Sequence, residues 1–363
     1  MQNECFFMWL SSLSAEIGPA RMNHLLQVFG SGKEVFHASE KALTENGGLK
    51  GEGLKELLKN RNRQRIDELK KINETYGITY FSRESQGFPE LLKDIPNAPV
   101  GLYCLGSMPP SDTPKVAVIG SRKCSEYGLI ASRLVAKPLS EAGTVIVSGM
   151  ARGIDSMAHR GAIHGGGKTI AVLGTGVDIC YPAENRKLRE EIIENGCIVS
   201  EYPPGTEPKK HFFPMRNRII SGMSLGVVVV EAGRRSGTLG TVDHAANQGR
   251  EVFAVPGNIS SKLSEGTNAL IRDGAHPVSD YSDILYVLGL MPKIGEEPNI
   301  NETNKPLAPD EKLVYDNLDF EPVSYEMLLD VTGLAPGRLH FTLTGLEIKG
   351  LSVKLPGGRY IKA

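Results

Sequence analysis

From about Met8 to about Asn73 the apolar residues recur at helical spacing, as in Leu25, Leu26, Val28 and Phe29 and again in Leu54, Leu57 and Leu58, which predicts a small set of amphipathic helices. At Gly77 the spacing changes. Ile78–Phe81 and Val100–Leu105 read as strands, separated by FPELLKDIPNAP, a segment with too much proline for a long helix. Short apolar runs then alternate with helical stretches as far as Leu290. The predicted strands are Val116–Ile119, Val145–Ser148, Thr169–Leu173, Ile198–Ser200, Val227–Glu231 and Val252–Val255. The predicted helices lie near Tyr127–Glu141, Ile154–His164, Glu184–Glu194 and Thr238–Gln248. Runs such as VAVI, IAVL and VVVV are apolar at every position, as a parallel sheet covered by helices on both faces requires. The expected fold class is therefore α/β, a doubly wound, mostly parallel and Rossmann-like sheet.

The two ends of the chain read differently. Residues 1–73 are expected to form a helical domain, in which Ile17-Gly18-Pro19 resembles the turn of a helix-hairpin-helix unit, or of a SAM-like domain. Residues 74–290 hold the sheet. Residues 291–308, within MPKIGEEPNINETNKPLAP, are polar and interrupted by proline, which predicts a linker. Residues 309–363 then show a helix near Lys312–Leu318, a helix capped by Ser324 and running to about Val331, and the turn Thr332-Gly333. A third helix from about Pro336 to Lys349 and a hairpin around Pro356-Gly357-Gly358 complete a winged-helix pattern. Its expected recognition helix offers Arg338, His340, Thr342 and Thr344, with little cationic density.

Charge narrows the picture. Lys plus Arg number 41 and Asp plus Glu 42 over 363 residues, so no global basic field draws polyanions in and any such binding needs a local patch. Cys5, Cys104, Cys124, Cys180 and Cys197 are odd in number and never spaced as CxxC, which indicates neither a disulfide framework nor a zinc site and fits a reducing cytoplasm. The apolar stretch Cys5–Leu10 lacks a basic segment before it and reads as a first buried helix turn rather than a secretion signal. No run approaches the roughly 20 apolar residues of a membrane helix, and no membrane association is expected.

The local patch is PKKHFFPMRNRIISG, Pro208–Gly222, read as a basic and aromatic loop entering the strand near Gly226. Lys209, Lys210, Arg216 and Arg218 can meet phosphates, while Phe212, Phe213 and nearby Tyr202 can accept unpaired bases by stacking. Open α/β sheets bind ligands beyond the carboxyl ends of their strands. There the sequence places Gly120-Ser121-Arg122, then Ser148-Gly149 with Arg152-Gly153, Gly174-Thr175-Gly176, the loop from Ser200 to Gly205, and Glu231 to Thr238 with Arg234, Arg235, Ser236 and Gly237. Glycine amides at such helix starts can face an anion. GGGKT at Gly165–Thr169 is not a phosphate-binding P-loop, because its Lys-Thr enters a strand. The first strand is not followed by GxGxxG, so no dinucleotide cofactor is expected, and His159 and His164 lack metal-ligand spacing.

The blocks GSR (Gly120–Arg122), SGMARGIDSMAH (Ser148–His159), TIAVLGTGVDICYP (Thr169–Pro182), SEYPPG (Ser200–Gly205), FPMRNRIISG (Phe213–Gly222), EAGRRSGTL (Glu231–Leu239) and VPGNI with GTNALIRDGA up to Ala275 resemble the DNA-processing protein A family, DprA or Smf. That resemblance implies a non-catalytic, cofactor-free protein that binds single-stranded DNA, shields it and helps load the recombinase RecA during natural transformation. It also implies a homodimer formed through the Rossmann-like domain, and a DNA pocket at Arg122, Ser148–Gly153, Lys209, Lys210, Arg216, Asn217 and Arg218. The turn with Ser236, Gly237 and Thr238 also resembles the PGGxGTxxE motif of Lonely-Guy-type phosphoribohydrolases. Thr241 occupies the place of that motif's Glu, so the carboxylate that would support glycosidic cleavage is missing.

Overall fold

A computed structural model describes residues 3–291, 307–319, 322–349, 351–355 and 357–362. Most of the expected linker, residues 292–306, lies outside the described residues. The chain divides into two compact units, Met1–Met291 and Pro292–Ala363.

The first unit opens with helices α1 Glu4–Ser11, α2 Ser14–Ile17, α3 Pro19–Phe29, α4 Gly32–His37, α5 Glu40–Glu45, α6 Gly51–Asn60 and α7 Arg63–Tyr76. Gly18 takes φ +78° between α2 and α3, a conformation that glycine adopts without strain. Strands β1 Ile78–Ser82 and β2 Gly101–Gly106 follow as an antiparallel pair. Then come β3 Lys115–Ile119, α8 Glu126–Glu141, β4 Val145–Ser148, α9 Ile154–His164, β5 Thr169–Val172, α10 Arg186–Glu194 and β6 Gly196–Ser200. The unit closes with α11 Phe212–Gly222, β7 Gly226–Val229, α12 Leu239–Asn247, β8 Glu251–Ala254, α13 Glu265–Arg272, β9 His276–Pro277 and α14 Tyr281–Val287.

The sheet order is β1-β2-β6-β5-β4-β3-β7-β8-β9. From β6 to β9 every pairing is parallel, and β2 joins β6 antiparallel. The doubly wound, mostly parallel sheet is thus present. Alternation along each strand feeds two layers, as a period of two demands. Val116 and Val118 pack with α8 and α9 residues such as Val135, Leu139 and Ala158, whereas Ala117 and Ile119 pack with Ile219, Ile220 and Ala245 of α11 and α12.

The helical N-terminal segment is fused to this sheet. One apolar cluster runs from Trp9, Leu25 and Leu57 through Tyr103 of β2 and Ala171 of β5 to Leu188 and Ile192 of α10, crossing the boundary expected at 73/74. Ser14 Oγ donates to the carbonyl of Glu201 at 3.2 Å, tying α2 to the end of β6. Among the described residues no helix is long and apolar enough to cross a membrane.

The second unit contains α15 Pro309–Asp316, β10 Val323–Ser324, α16 Tyr325–Thr332, α17 Pro336–Ile348, β11 Ser352–Leu355 and β12 Arg359–Lys362. It is a winged helix with a three-stranded sheet in the order β10-β12-β11. Ser324 caps α16 by accepting from Met327 N at 3.1 Å, and Gly333 ends it in the left-handed region. Val314, Leu328, Leu339, Leu343 and Tyr360 form its core.

One reading is corrected outright. The stretch taken for a basic loop folds from Phe212 onward as helix α11. Pro214 falls in its first turn, where the missing N–H has no carbonyl to serve. Phe212, Arg216, Ile219 and Ile220 form the buried stripe.

Candidate nucleic-acid interface

Strand order reverses between β3 and β7: one half of the sheet is laid down from β3 through β6, the other from β7 through β9. Loops leaving the two strands therefore diverge, and a crevice opens at their carboxyl ends. A cleft of 470 Å³ fills that place. Gly120, Ser121, Arg122 and Lys123 come from the loop after β3; Ala151 and Asp155 follow β4; Ser236, Gly237, Thr238 and Thr241 follow β7. The first turns of α11 close it with Phe213, Pro214, Arg216, Asn217 and, deeper, Ile220.

Local hydrogen bonds fix each wall. Ser121 N donates to the Glu231 carbonyl at 2.8 Å, and Ser121 Oγ both accepts from Lys123 N at 3.2 Å and donates to Lys123 O at 2.9 Å. This tight turn leaves Arg122 and Lys123 exposed. Gly120 has no room for a side chain, since a Cβ there would lie 2.7 Å from Ile154 Cγ1. The Glu231 carboxylate accepts from Ser125 N at 2.9 Å and Ser125 Oγ at 2.5 Å, so it anchors the start of α8. Across the cleft Ser236 Oγ donates to Thr238 Oγ1 at 2.9 Å, and Thr238 Oγ1 donates to the Gly120 carbonyl at 3.2 Å, stitching the β7 loop to the β3 loop.

Arg216 forms the floor. It is 4% exposed, with Nη1 donating to the carbonyls of Val172 and, at 3.0 Å, Gly149, and with Nε donating to Asn217 Oδ1 at 3.2 Å. Burial lowers its pKa to about 10, opposed by the Asp155 carboxylate, and it stays cationic at neutral pH. Asp155 accepts from the amides of Gly149 at 3.2 Å and Ala151 at 3.4 Å, holding the turn in which Met150 takes φ +54°. Burial pushes the Asp155 carboxyl up, against the pull of Arg216. A fixed cation in a poorly solvated floor, with two exposed cations on the rim, favours an anion between them.

The cleft gathers Gly120, Ser121, Arg122, Phe213, Arg216, Asn217, Ser236, Gly237 and Thr238 from the expected site. The remaining residues stand elsewhere. Ser148 Oγ donates to the Val118 carbonyl at 2.7 Å inside the sheet. Gly149 backs the floor, where a Cβ would lie 2.6 Å from Arg216 Nη2. Gly153, at φ +74°, starts α9 beneath the β3 loop. Exposed Arg152 pairs with Glu184. Lys209 and Lys210 are exposed on the loop before α11, with Lys209 Nζ 5.4 Å from the Phe212 ring centroid. Arg234 and Arg235 are exposed after β7 and do not line the cleft.

Two assignments change. Phe212 and Tyr202 are each 1% exposed and stack on each other at 4.1 Å, so neither offers a face to a base. Arg218 is buried in an ion pair with Glu201, at 2.9 Å through Nη1 and 2.5 Å through Nη2, and its Nε donates to the Asn97 carbonyl at 3.0 Å. Its charge is already neutralised inside the protein. The reason is helical geometry: at about 100° per residue, positions 216 and 218 point to opposite sides of α11. Lys123 was missed although it directly follows Gly-Ser-Arg, and so was Tyr181, whose ring lies 5.3 Å from that of Phe213.

Comparisons with known proteins agree with the fold. The profile of the family described as DNA recombination-mediator protein A matches residues 79–289, and that of the DprA winged helix domain matches residues 298–358. Protein Smf of Synechocystis sp. is 32% identical over 387 aligned residues, covering 97% of this chain and 97% of that protein. The DNA processing protein DprA of Streptococcus pneumoniae is 45% identical over 220 residues, 61% of this chain and 78% of that one. An X-ray structure of DprA from that species matches with a TM-score of 0.67 and 36% identity, covering 77% of this chain and 95% of its own. A structure of DNA processing protein A from Helicobacter pylori, concerned with that protein's single-stranded DNA binding mode, matches with a TM-score of 0.52 and 32% identity over 59% of this chain and 96% of its own.

Proposed function

The chain belongs to the DprA/Smf family of DNA recombination-mediator proteins, and from that premise we propose that it binds single-stranded DNA in the cleft where β3 and β7 diverge. In this reading it works without catalysis: it shields the strand and helps load RecA recombinase onto it during transformation, as a homodimer formed through the Rossmann-like domain in the cytoplasm. The observation that carries the reading is the convergence of Arg122, Lys123 and Arg216 with the Ser236–Thr238 turn on one cleft at the reversal of strand order. Phosphates sit against the three cations and the Ser236 and Thr238 hydroxyls, and Lys209 and Lys210 extend the basic surface beyond it. Such contacts read phosphate rather than base identity, so little sequence preference is expected.

The cleft offers little to hydrolysis. Asp155 is the one carboxylate among its lining residues, and it is engaged by two backbone amides and faces Arg216. Thr241, where a phosphoribohydrolase motif carries Glu, is buried and uncharged.

Fluorescence anisotropy of labelled oligo-dT, titrated at two salt concentrations, tests the reading. Wild type binds in a salt-sensitive manner, and Arg122→Ala and a Lys209→Ala/Lys210→Ala double mutant bind less tightly with a shallower salt dependence. Well-folded wild type that leaves the oligomer free refutes it.

A further inference from the structure

If the cleft takes phosphates, the strand must leave it somewhere, and its bases must find surfaces to lie on. Phe212 and Tyr202 cannot serve, being stacked together in the interior. Phe213 lines the cleft and is half-buried, with close neighbours on two sides. The Arg122 guanidinium stands 5.7 Å from its ring centroid, and Gly174 packs so closely that a Cβ there would lie 3.1 Å from Phe213 Cδ1. Next to it lies Tyr181, with its ring 5.3 Å from that of Phe213, inclined by 34° and 45% exposed. Tyr181 is thus the outermost ring of a row that starts with Arg122.

A second cation stands near Tyr181. Arg152 pairs with Glu184, three residues after Tyr181 in the chain, both side chains being largely exposed. Exposed ion pairs contribute little, so a phosphate can take Arg152 over from Glu184 at small cost. Adjoining rings with an arginine over one and another close by in the fold suit a short run of backbone with a base turned onto the exposed ring.

We propose that Tyr181 is a base-stacking subsite next to the cleft, with Arg152 receiving the phosphate that follows the stacked nucleotide. The inference rests on the single-stranded DNA reading and adds the strand's path to it. Both faces of a paired base are covered by its neighbours in a duplex, so this subsite accepts unpaired bases of any identity and gives the surface its preference for single strands.

The test uses the full chain with labelled oligo-dT, an oligomer of equal length whose central positions are abasic, and an oligomer carrying the fluorescent base aminopurine. Tyr181→Leu weakens oligo-dT binding roughly 5- to 150-fold, the range that one base stacked on a ring supports, and leaves the salt dependence unchanged. Tyr181→Phe binds as wild type does. The abasic oligomer binds wild type and Tyr181→Leu alike, and Glu184→Gln tightens binding most at low salt. Wild type quenches aminopurine fluorescence, a readout that needs no variant to fold. Wild type that binds oligo-dT without quenching, or a folded Tyr181→Leu that binds oligo-dT normally, overturns this inference alone. Wild type that binds no oligo-dT overturns the cleft reading as well.

Discussion

The pairing of Arg218 with Glu201 makes a sharp prediction, because stability and binding should separate cleanly. Both side chains are 5% exposed and joined by two hydrogen bonds, of 2.9 and 2.5 Å. Removing either partner alone leaves an unpaired charge in the interior, which costs about 3–5 kcal/mol. Arg218→Leu and Glu201→Leu should each lower the unfolding free energy by that amount. The double replacement removes both charges and leaves chiefly the Asn97 carbonyl, which accepts from Arg218 Nε, without its donor, a cost of about 1–3 kcal/mol. The double variant should therefore be more stable than either single one. Urea unfolding followed by tryptophan fluorescence measures this, since Trp9, the one tryptophan, is fully buried in the same compact unit. The folded double variant should bind oligo-dT with wild-type affinity and salt slope. A singly charged phosphate contact would contribute about 0.7 to that slope on a single strand. If Arg218→Leu keeps wild-type stability but loses that fraction of the slope, Arg218 faces DNA and the reasoning fails.

Three further outcomes follow from the same structure. Gly149→Ala should shift the Arg216 guanidinium, whose Nη2 a Cβ would meet at 2.6 Å, so that oligo-dT affinity falls while Lys209→Ala/Lys210→Ala still lowers it further; unchanged affinity in a folded Gly149→Ala would refute this role of the floor. His159 is buried with Nδ1 donating to Thr169 Oγ1 at 2.7 Å, since that hydroxyl itself donates to the Ile146 carbonyl; burial, reinforced by Arg216, lowers its pKa to about 3. Because the unfolded chain takes up this proton near pH 6.5 and the folded one does not, stability should rise with pH between about 3 and 6.5, by about 2 kcal/mol from pH 5 to 7.5, and His159→Gln should flatten that slope in urea titrations at the two pH values. Deleting residues 292–363 should leave oligo-dT binding intact, because every residue lining the cleft lies before Met291; loss of binding by the folded remainder would place the DNA contact on the winged helix instead.

The sheet was readable because its central strands are apolar on both faces and its loops carry Gly, Ser and Arg where strands end. Those two signals pointed to the carboxyl ends of the strands as a rim of five loops, whereas the cleft is lined by the loops after β3, β4 and β7 and by the start of α11. The signal that failed was helical period in Phe212–Gly222. Arg216 occupies a position of the buried stripe where an apolar residue is expected, and Pro214 argues for a loop unless it is placed in a first turn. Once that helix is missed, Arg216 and Arg218 look equivalent, as do Phe212 and Phe213. In the folded chain one of each pair faces the cleft and the other the interior. The fusion of the N-terminal helices to the sheet was equally hidden, because the contacts of Trp9 and Leu57 with the cluster around Tyr103 and Leu188 join segments remote in sequence. The short strand β10 was missed for want of length: with two residues it has no period to read.

The reversal of strand order also sets a sequence of events during synthesis. The cationic rim at Arg122 and Lys123 leaves the ribosome first, while the opposite wall, Ser236–Thr241, comes more than a hundred residues later, and its strand β7 is the immediate neighbour of β3 in the sheet. At about 5–20 residues per second, several seconds pass in which the strand that opens the parallel sheet has no partner on one side. A nascent or truncated chain ending anywhere before residue 236 lacks the wall that Ser236–Thr241 supply. The cleft is therefore completed late, by the last of its walls to be synthesised.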